Sequence, residues 1–556
     1  MTYQQLNAPV DIKQIKFRYS LAKWLTTGSM LAVVLMAFYS LFYPVLHGSK
    51  HRLHLVTDDN ESPSSQPNSD RRNNNNSSSS CRFDGSTTMT FPSEGDSSYT
   101  PPSPDDTLWQ ALDYVSAKDY DQYCASWDPL QGFSDDLHLE NQDCGNWQKT
   151  FSDLQEHRLQ QLDKLKSGAF NGSLSNDEIP YFVSYVCEED PRHRGSHGCG
   201  GLADRMSGML STFFYALMTN RGFLMNWQKS NPTSLESVFE QPNINWSFDP
   251  KEMKALYNTK TLGRHSVNTL NFNWERIRSA MFPQGPSQDF NELWTAPYVE
   301  VKSNRGYIIR TFSHSTRYSE QLENMGLTKT NSFRCILDYL LRPTSGARRF
   351  INAYKQLFQM ESVLSIGLQI RTDDQAMAHP EDDTNNFETW DYFLNCANNL
   401  RDAKRQPHHQ RVVYFLLTDS NKLREEFVAM NNNQTLRDRY IQDDATSMVV
   451  TGLPIEHIEA KTVKTKFDAN ITALDSDHAR LLAGVNSAVI DNWLLSYTDY
   501  RLISRQGFGK MAAFHATDPR STISLPRVDR KDRSVDCGNP NSFTTFDTLS
   551  TWWSLG

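Results

Sequence analysis

Apolar residues along this chain gather into three kinds of run, and each kind predicts a different element. From Trp24 to Leu46 (WLTTGSMLAVVLMAFYSLFYPVL) no charged residue occurs. At about 1.5 Å per residue such a run reaches about 30 Å, enough to cross a bilayer once. In the second half, continuous apolar runs end in polar residues: VLSIGLQIR (Val363 to Arg371), VVYFLLTD (Val412 to Asp419), MVV (Met448 to Val450) and YRLIS (Tyr500 to Ser504). These read as strands buried on both faces. Between them lie segments of helical spacing: WDYFLNCANNLRDA from Trp390, NKLREEFVAM behind the cap candidates Asp419 and Ser420, and ARLLAGVNSAVIDNWLLSYT. The alternation predicts a doubly wound α/β domain with a parallel sheet, whose ligands sit beyond the carboxyl ends of its strands. Arg371, Asp419 and Ser504 all fall at such ends, so they are read as one site.

The first half contributes CGGLADRMSGMLSTFFYALMTNRGFLMNW, Cys199 to Trp227: a glycine turn, a long apolar helix and a short strand. Gly200 and Gly201 let the backbone approach a ligand closely, and Asp204 and Arg205 lie where the helix presents its unpaired N–H groups. The turn therefore reads as part of a nucleotide-sugar cleft, against the plainer alternative of a cap on a buried helix. Trp227, Trp246, Trp274 and Trp294 are candidates for an acceptor face, since aromatic rings stack on sugars, although core packing is the commoner fate of tryptophan.

Charge orients the apolar span. Lys13, Lys16, Arg18 and Lys23 precede it against the lone Asp11, while the far side turns acidic at Asp58, Asp59 and Glu61. The positive-inside bias leaves residues 1–23 as a cytosolic tail and 24–46 as the anchor of a single-pass type II protein. Residues 47–107, with NNNNSSSS at Asn73 to Ser80 and PPSP at Pro101 to Pro104, read as a disordered stalk that cannot bury a core. Sequons at Asn60, Asn75, Asn76, Asn171, Asn245, Asn433 and Asn470 fit a lumenal, glycosylated body. Eight cysteines suit that compartment. Cys124 with Cys144 and Cys187 with Cys199 are close enough to clip local loops, Cys335, Cys396 and Cys537 offer one longer bridge, and Cys81 in the stalk either joins two chains, stays unpaired or finds a local partner. A net charge of −9 without a strong basic cluster argues against nucleic acid. The lumenal body is too long for one compact core and divides into an N-terminal domain, 108–345, and a nucleotide-sugar domain, 346–530, followed by a tail, 531–556.

Three islands carry a resemblance. GCGGLADRMSGMLSTFFYALMTNR, IGLQIRTDD and WLLSYTDYRLISRQGFG resemble, in order and at similar separations, the signature regions of the plant cell-wall fucosyltransferases that modify xyloglucan. VYFLLTDSNKLREEF and VIDNWLLSYTDYRLIS also look like segments of the α1,6 and protein O-fucosyltransferases. The islands run roughly from Tyr181 to Ala513. The resemblance implies an α/β, GT-B-like enzyme with two Rossmann-like domains facing a cleft, using GDP-fucose as donor, a glycan or glycoprotein as acceptor, and no metal or other cofactor. It implies a Golgi membrane location. It places Arg371 on the donor diphosphate, where a guanidinium fork can replace a divalent ion. Asp419 and Asp491 match acidic positions on the nucleotide side, while Ser504, Gln506, Gly507 and Phe508 match the loop that closes on the donor. Asp373, Asp374 and Asp204 are the candidates for a base that takes the acceptor's proton.

The departures bear on the donor sugar. Ala203 and Asp204 stand where the plant enzymes have Gly-Asn, and SRQGFG from Ser504 replaces their Ser-Ala-Trp-Ser-Thr-Phe-Gly. Two rival readings follow. One is a metal-dependent transferase that holds its ion through Asp475 and Asp477, although a DSD sequence just before a helix also suits a cap. The other is a tethered carbohydrate-binding protein with a decayed active site.

Overall fold

The computed structural model describes Cys81, Tyr99 and residues 101–551, apart from 129–131, 137–142, 169–177, 189–198, 228–232, 259–261, 373, 456–473 and 527–534. The expected span from Trp24 to Leu46 lies outside the described residues, as do most of the stalk and Trp552 and Trp553. Among the described residues no helix is long and apolar enough to cross a membrane.

Residues Ser79–Gly556 form one unit built on two sheets whose strands all run parallel. The first contains β1 (Phe182–Cys187), β2 (Gly222–Trp227), β3 (Arg264–Asn268) and β4 (Tyr298–Lys302) in the order β2-β1-β4-β3, with Phe182 opposite both Gly222 and Tyr298. The second contains β5 (Val363–Ile370), β6 (Arg411–Thr418), β7 (Thr446–Val449), β8 (Tyr500–Ser504) and β9 (Thr522–Leu525) in the order β7-β6-β5-β8-β9. Every residue of β1 and β5 is buried, the polar Ser184, Ser365 and Gln369 included, as expected of predominantly apolar strands covered on both faces. The β5 to β8 segments follow the sequence expectation to within a residue or two; β9 was not foreseen, because TISL is too short to carry a period.

Each sheet begins in its middle. β1 lies between β2 and β4, and β5 lies between β6 and β8. In such an order the chain leaves the first strand toward opposite faces, and a crevice opens at the carboxyl ends between β1 and β4 and between β5 and β8. The helices that flank these crevices are α2 (Leu202–Thr219) after β1 and α7 (Gly507–His515) after β8. They pack on each other, with Ser207 Oγ 3.9 Å from the Met511 sulfur. Only glycine fits at Gly208 of α2, where a Cβ would lie 2.1 Å from the Ser303 carbonyl oxygen just beyond β4.

One apolar core runs through both halves, joining Phe213 and Trp227 to Val489, Trp493 and Phe514. Phe239 from the first half sits with its ring 5.8 Å from Trp493 on α6 (Leu474–Tyr497). A second cluster fills the outer face of the larger sheet beneath α4 (Phe387–Lys404) and α5 (Asn421–Ala429), whose cap is the Ser420 hydroxyl accepting from the Leu423 N–H at 3.1 Å.

Several expectations are corrected. The stalk does not extend to residue 107: Tyr99 is buried, Asp105 caps α1 (Asp106–Leu112), and Leu108 and Leu112 enter the core. Thr107 exchanges hydrogen bonds with Val450 beyond β7, its Oγ1 accepting from the N–H at 3.1 Å. Apolar burial along one face of α1 outweighs the Pro-rich composition before it. Cys81 pairs with Cys124 and Cys144 with Cys335, so the local Cys124–Cys144 clip does not form and Cys81 has no thiol left to join two chains. Cys187–Cys199 forms as expected, and the longer bridge is Cys396–Cys537. The tryptophans serve the core: Trp227 and Trp246 are buried, Trp294 packs on Tyr215 at 4.5 Å, and the partly buried Trp274 lies under Arg310 at 5.0 Å.

Candidate functional site

At the carboxyl edge of the larger sheet, three strand ends converge as their sequence positions suggest. β5 delivers Arg371, β6 delivers Asp419 and β8 delivers Ser504. The Arg371 guanidinium is ion-paired and hydrogen-bonded to the Asp419 carboxylate. The Arg371 backbone N–H donates to Ser504 Oγ at 3.0 Å, and that hydroxyl donates to the Gln369 carbonyl at 3.2 Å. Asp419 also accepts from the Thr372 N–H at 2.7 Å and the Thr372 hydroxyl at 3.0 Å. Burial pushes the Asp419 carboxyl up while Arg371 and Thr372 act to keep it ionised. The carboxylate thus fixes the start of the loop after β5 and aims the arginine. The Arg371 side chain is 16% exposed and is held at the carboxyl edge beside Asp419 at the end of β6.

The loop after β8 feeds directly into a helix start. The Gln506 N–H donates to the Ser504 carbonyl at 2.7 Å, Gly507 opens α7, and the Phe508 carbonyl accepts from Asn492 Nδ2 at 2.8 Å. No side chain caps the first turn of α7. Gln506 and Phe508 are partly buried. The Asp491 carboxylate accepts from Thr451 Oγ1 at 2.9 Å beyond β7, near Arg424. Burial raises its pKa to about 7, with the Thr451 hydrogen bond and Arg424 acting the other way. Asp373 lies outside the described residues, and Asp374 opens the short helix Asp374–Ala378 with its side chain undescribed.

Across the cleft, the glycine turn caps α2. Gly200 has φ +78°, and Gly201 is the N-cap residue of α2, whose first turn has no side-chain cap. Arg205 is fully buried: its Nε donates to the Gly200 carbonyl at 2.9 Å and its guanidinium lies 5.3 Å from the Trp227 ring. It therefore props the turn from behind, a correction to its expected place on the donor, because the i+5 geometry folds the side chain back beneath the turn. Asp204, 18% exposed at its side chain, faces Arg305 with 3.6 Å between Oδ1 and Nη1. Arg305 follows β4 and is held by the Phe272 carbonyl at 2.8 Å from its Nε.

Sequence reading missed both Arg305 and Lys510. Lys510, on α7, is wholly buried and interacts electrostatically with Asp204 and Arg305. Burial lowers its pKa to about 7, with Asp204 opposing the fall. The available signal was a lone cation inside the apolar run GFGKMAAF, which a buried helix face would turn inward.

As for metal ligands, Asp475 and Asp477 lie within the first turn of α6 rather than before it, with their side chains undescribed. Among the described residues, two groups bring suitable ligand atoms together. In Asp143, Cys144 and Cys335 the two sulfurs are already bridged, and His379, Glu381 and Asp382 lie exposed on the surface.

No family model matches the chain. Fucosyltransferase 3 of Arabidopsis thaliana is 25% identical over 216 residues, which is 38% of this chain and 38% of that protein, little more than a third of the relative's length. Among solved structures, a variant of Arabidopsis thaliana FUT1 in complex with GDP aligns over 80% of this chain and 84% of its own at 14% identity and a TM-score of 0.42. NodZ α-1,6-fucosyltransferase soaked with GDP-fucose aligns over 64% and 97% at 15% identity and 0.34, and NodZ from Bradyrhizobium over 62% and 96% at 16% and 0.31. The Arabidopsis sequence match and the ordered motif islands make the chain similar to the plant-type fucosyltransferases.

Proposed function

We propose that this chain is an inverting glycosyltransferase that moves L-fucose from GDP-fucose to a hydroxyl of a glycan or glycoprotein acceptor, as a type II protein of the Golgi membrane with its body in the lumen. The observation that carries the reading is Arg371 at the β5–β8 switch point, aimed by Asp419 and Ser504 and flanked by the uncapped first turn of α7. A diphosphate suits that corner. Helix N–H groups and a permanently charged guanidinium both favour a dianion, and both gain strength as GDP leaves with growing negative charge.

The transfer is one in-line displacement at the anomeric carbon, through an oxocarbenium-like transition state, and it inverts the anomeric centre. The acceptor's proton goes to a carboxylate at the cleft, for which Asp373, Asp374 and Asp204 are the candidates, or to the departing diphosphate. Arg371 supplies the charge that a metal supplies in other transferases, so turnover is proposed to need no divalent ion. Gly200 and Gly201 let the facing turn close on the donor, while Asp491, Gln506, Gly507 and Phe508 shape its nucleotide side.

The test uses the full-length chain, because the Cys81–Cys124 bridge and the packing of Tyr99 tie residues before 108 to the body. The protein is incubated with a panel of nucleotide sugars, with and without EDTA, and released nucleotide is measured for wild type and Arg371→Ala. GDP release from GDP-fucose alone, unchanged by EDTA and lost in the variant, is the expected result. Release from a different nucleotide sugar overturns the donor; release from none favours a tethered carbohydrate-binding protein.

A further inference from the structure

The switch point of the first sheet, between β1 and β4, has no ligand assigned to it, and the tryptophans expected at an acceptor face pack into or against the core instead. At the carboxyl ends of these two strands stands a quartet of charges. Glu188 directly follows β1, Lys302 ends β4, Glu300 lies two residues earlier on β4, and Lys254 comes from α3 (Pro250–Leu256). The Lys254 ammonium donates to Glu188 Oε1 at 2.9 Å and the Lys302 ammonium to Glu188 Oε2 at 3.2 Å, so one carboxylate bridges from β1 to β4 and to the helix. Lys254 also pairs with Glu300 Oε2 at 3.4 Å. The Cys187–Cys199 bridge ties the residue before Glu188 to the residue before Gly200, so both loops at this edge share one covalent anchor.

Stability explains little of this group. The Glu188, Lys254 and Lys302 side chains are 23%, 30% and 27% exposed, and ion pairs near the surface contribute about 0–1 kcal/mol each. Their hydrogen-bonding capacity is also only partly used. Among the described residues Lys302 commits one of its three N–H donors and Lys254 two, while the Glu188 carboxylate fills two of about four acceptor positions. Donors and acceptors therefore alternate over a short distance, and the two carboxylates balance the two ammoniums. Such a surface gives a charged ligand no net Coulomb attraction, and it matches adjacent hydroxyls of a sugar ring, each of which both donates and accepts.

We propose that Glu188, held between Lys254 and Lys302, is a binding residue for the acceptor, taking adjacent hydroxyls of an uncharged glycan at the carboxyl edge of the first sheet. It rests on the glycosyltransferase reading above and gives the acceptor side its chemistry. Ligands of parallel sheets sit at such an edge, where the strand order reverses. The role is binding and not proton transfer. Burial raises the Glu188 pKa, but hydrogen bonds and charge from both lysines outweigh it and hold the carboxyl below its ordinary value, which makes a poor base.

The experiment measures retention of the full-length chain on immobilised cello-, xylo- and galacto-oligosaccharides, with oligogalacturonides as the charged arm and no nucleotide sugar present. Wild type is expected to bind a neutral oligosaccharide more tightly than the oligogalacturonide, and Glu188→Gln to weaken that binding by about tenfold or more, the scale of one charge-assisted hydrogen bond. Thermal unfolding of both proteins runs alongside. A merely structural Glu188 lowers Tm and leaves glycan binding by the folded variant at the wild-type level, and that result overturns the acceptor site. Retention of no neutral oligosaccharide by wild type, or tighter retention of the oligogalacturonide, overturns it as well. If Glu188→Gln does not fold, Lys302→Gln takes its place with the same expected loss, and wild-type binding in that variant is the overturning result. Because no nucleotide sugar is present, the outcome is separable from that of the GDP-release assay. Glycan binding lost in Glu188→Gln with no GDP release by wild type keeps the glycan site and overturns the donor; GDP release with unchanged glycan binding does the reverse.

Discussion

Arg205 and Arg371 follow the first strand of their respective sheets, each close to the start of a short helix or turn at a carboxyl edge, yet the protein uses them in opposite ways. Arg205 folds back under Gly200, lies against Trp227 and is wholly buried. Arg371 is braced by Asp419 from the next strand and keeps 16% of its side chain exposed at the crevice. The difference lies in the partner supplied. A backbone carbonyl five residues back draws a guanidinium into its own turn, whereas a carboxylate on a neighbouring strand holds it at the strand tips. The same residue type becomes a structural prop in one half and a candidate ligand group in the other.

The largest expected effect separates them kinetically. Arg371→Ala should lower kcat for GDP release by roughly 10²–10³ per folded molecule, the scale of losing one preorganised charge at a leaving group. Arg205→Met should instead cost about 3 kcal/mol of unfolding free energy in urea, since the Gly200 carbonyl loses its donor and Trp227 its cation, while KM for the donor stays within about threefold in the folded fraction. An Arg205 variant that unfolds like wild type but loses donor binding would reverse the comparison.

The same contrast sharpens with smaller changes. Gly208→Ala drives a Cβ against the Ser303 carbonyl, so α2 must shift away from β4, and a loss of roughly 1–3 kcal/mol by thermal unfolding is expected. Asp491→Asn tests the carboxyl that Thr451 holds beyond β7. Its pKa is near 7 when folded against about 3.9 when unfolded, so the folded state holds the proton longer and stability falls as pH rises from about 4 to 7. The asparagine variant should lose that slope and be the more stable protein at pH 8, by up to about 4 kcal/mol for a rise of about three pKa units.

Periodicity made much of the second half legible. The runs ending at Arg371, Asp419 and Ser504 are mostly apolar on both alternating faces, with only Ser365, Gln369 and Arg501 as buried polar interruptions, which suits strands buried on both faces, and their ends meet at one edge. The Gly200 turn was legible as a close approach, and its positive φ explains the glycine. The motif alone assigns Asp491 to the nucleotide group, and the fold holds its carboxylate on Thr451 near Arg424. The cysteines misled through proximity in sequence. Cys144 bridges to Cys335 across 191 residues because the fold, and not the chain between them, brings the two together.

By itself the sequence determined which segments become strands and helices, since apolar period and glycine placement act within a few residues of themselves. It also put the polar tips where a parallel sheet would gather them. Tertiary structure alone decided which groups share a space: that Arg205 turns inward, that Cys81 is tied to Cys124, and that Lys510 is buried within electrostatic range of Asp204 and Arg305. Those outcomes depend on strand order and on the contact between α2 and α7, which bring together groups some 300 residues apart, such as Ser207 and Met511, at a separation of 304 residues. No local pattern encodes a distance of that kind, because burial and Coulomb energy depend on neighbours in space and not on neighbours in sequence.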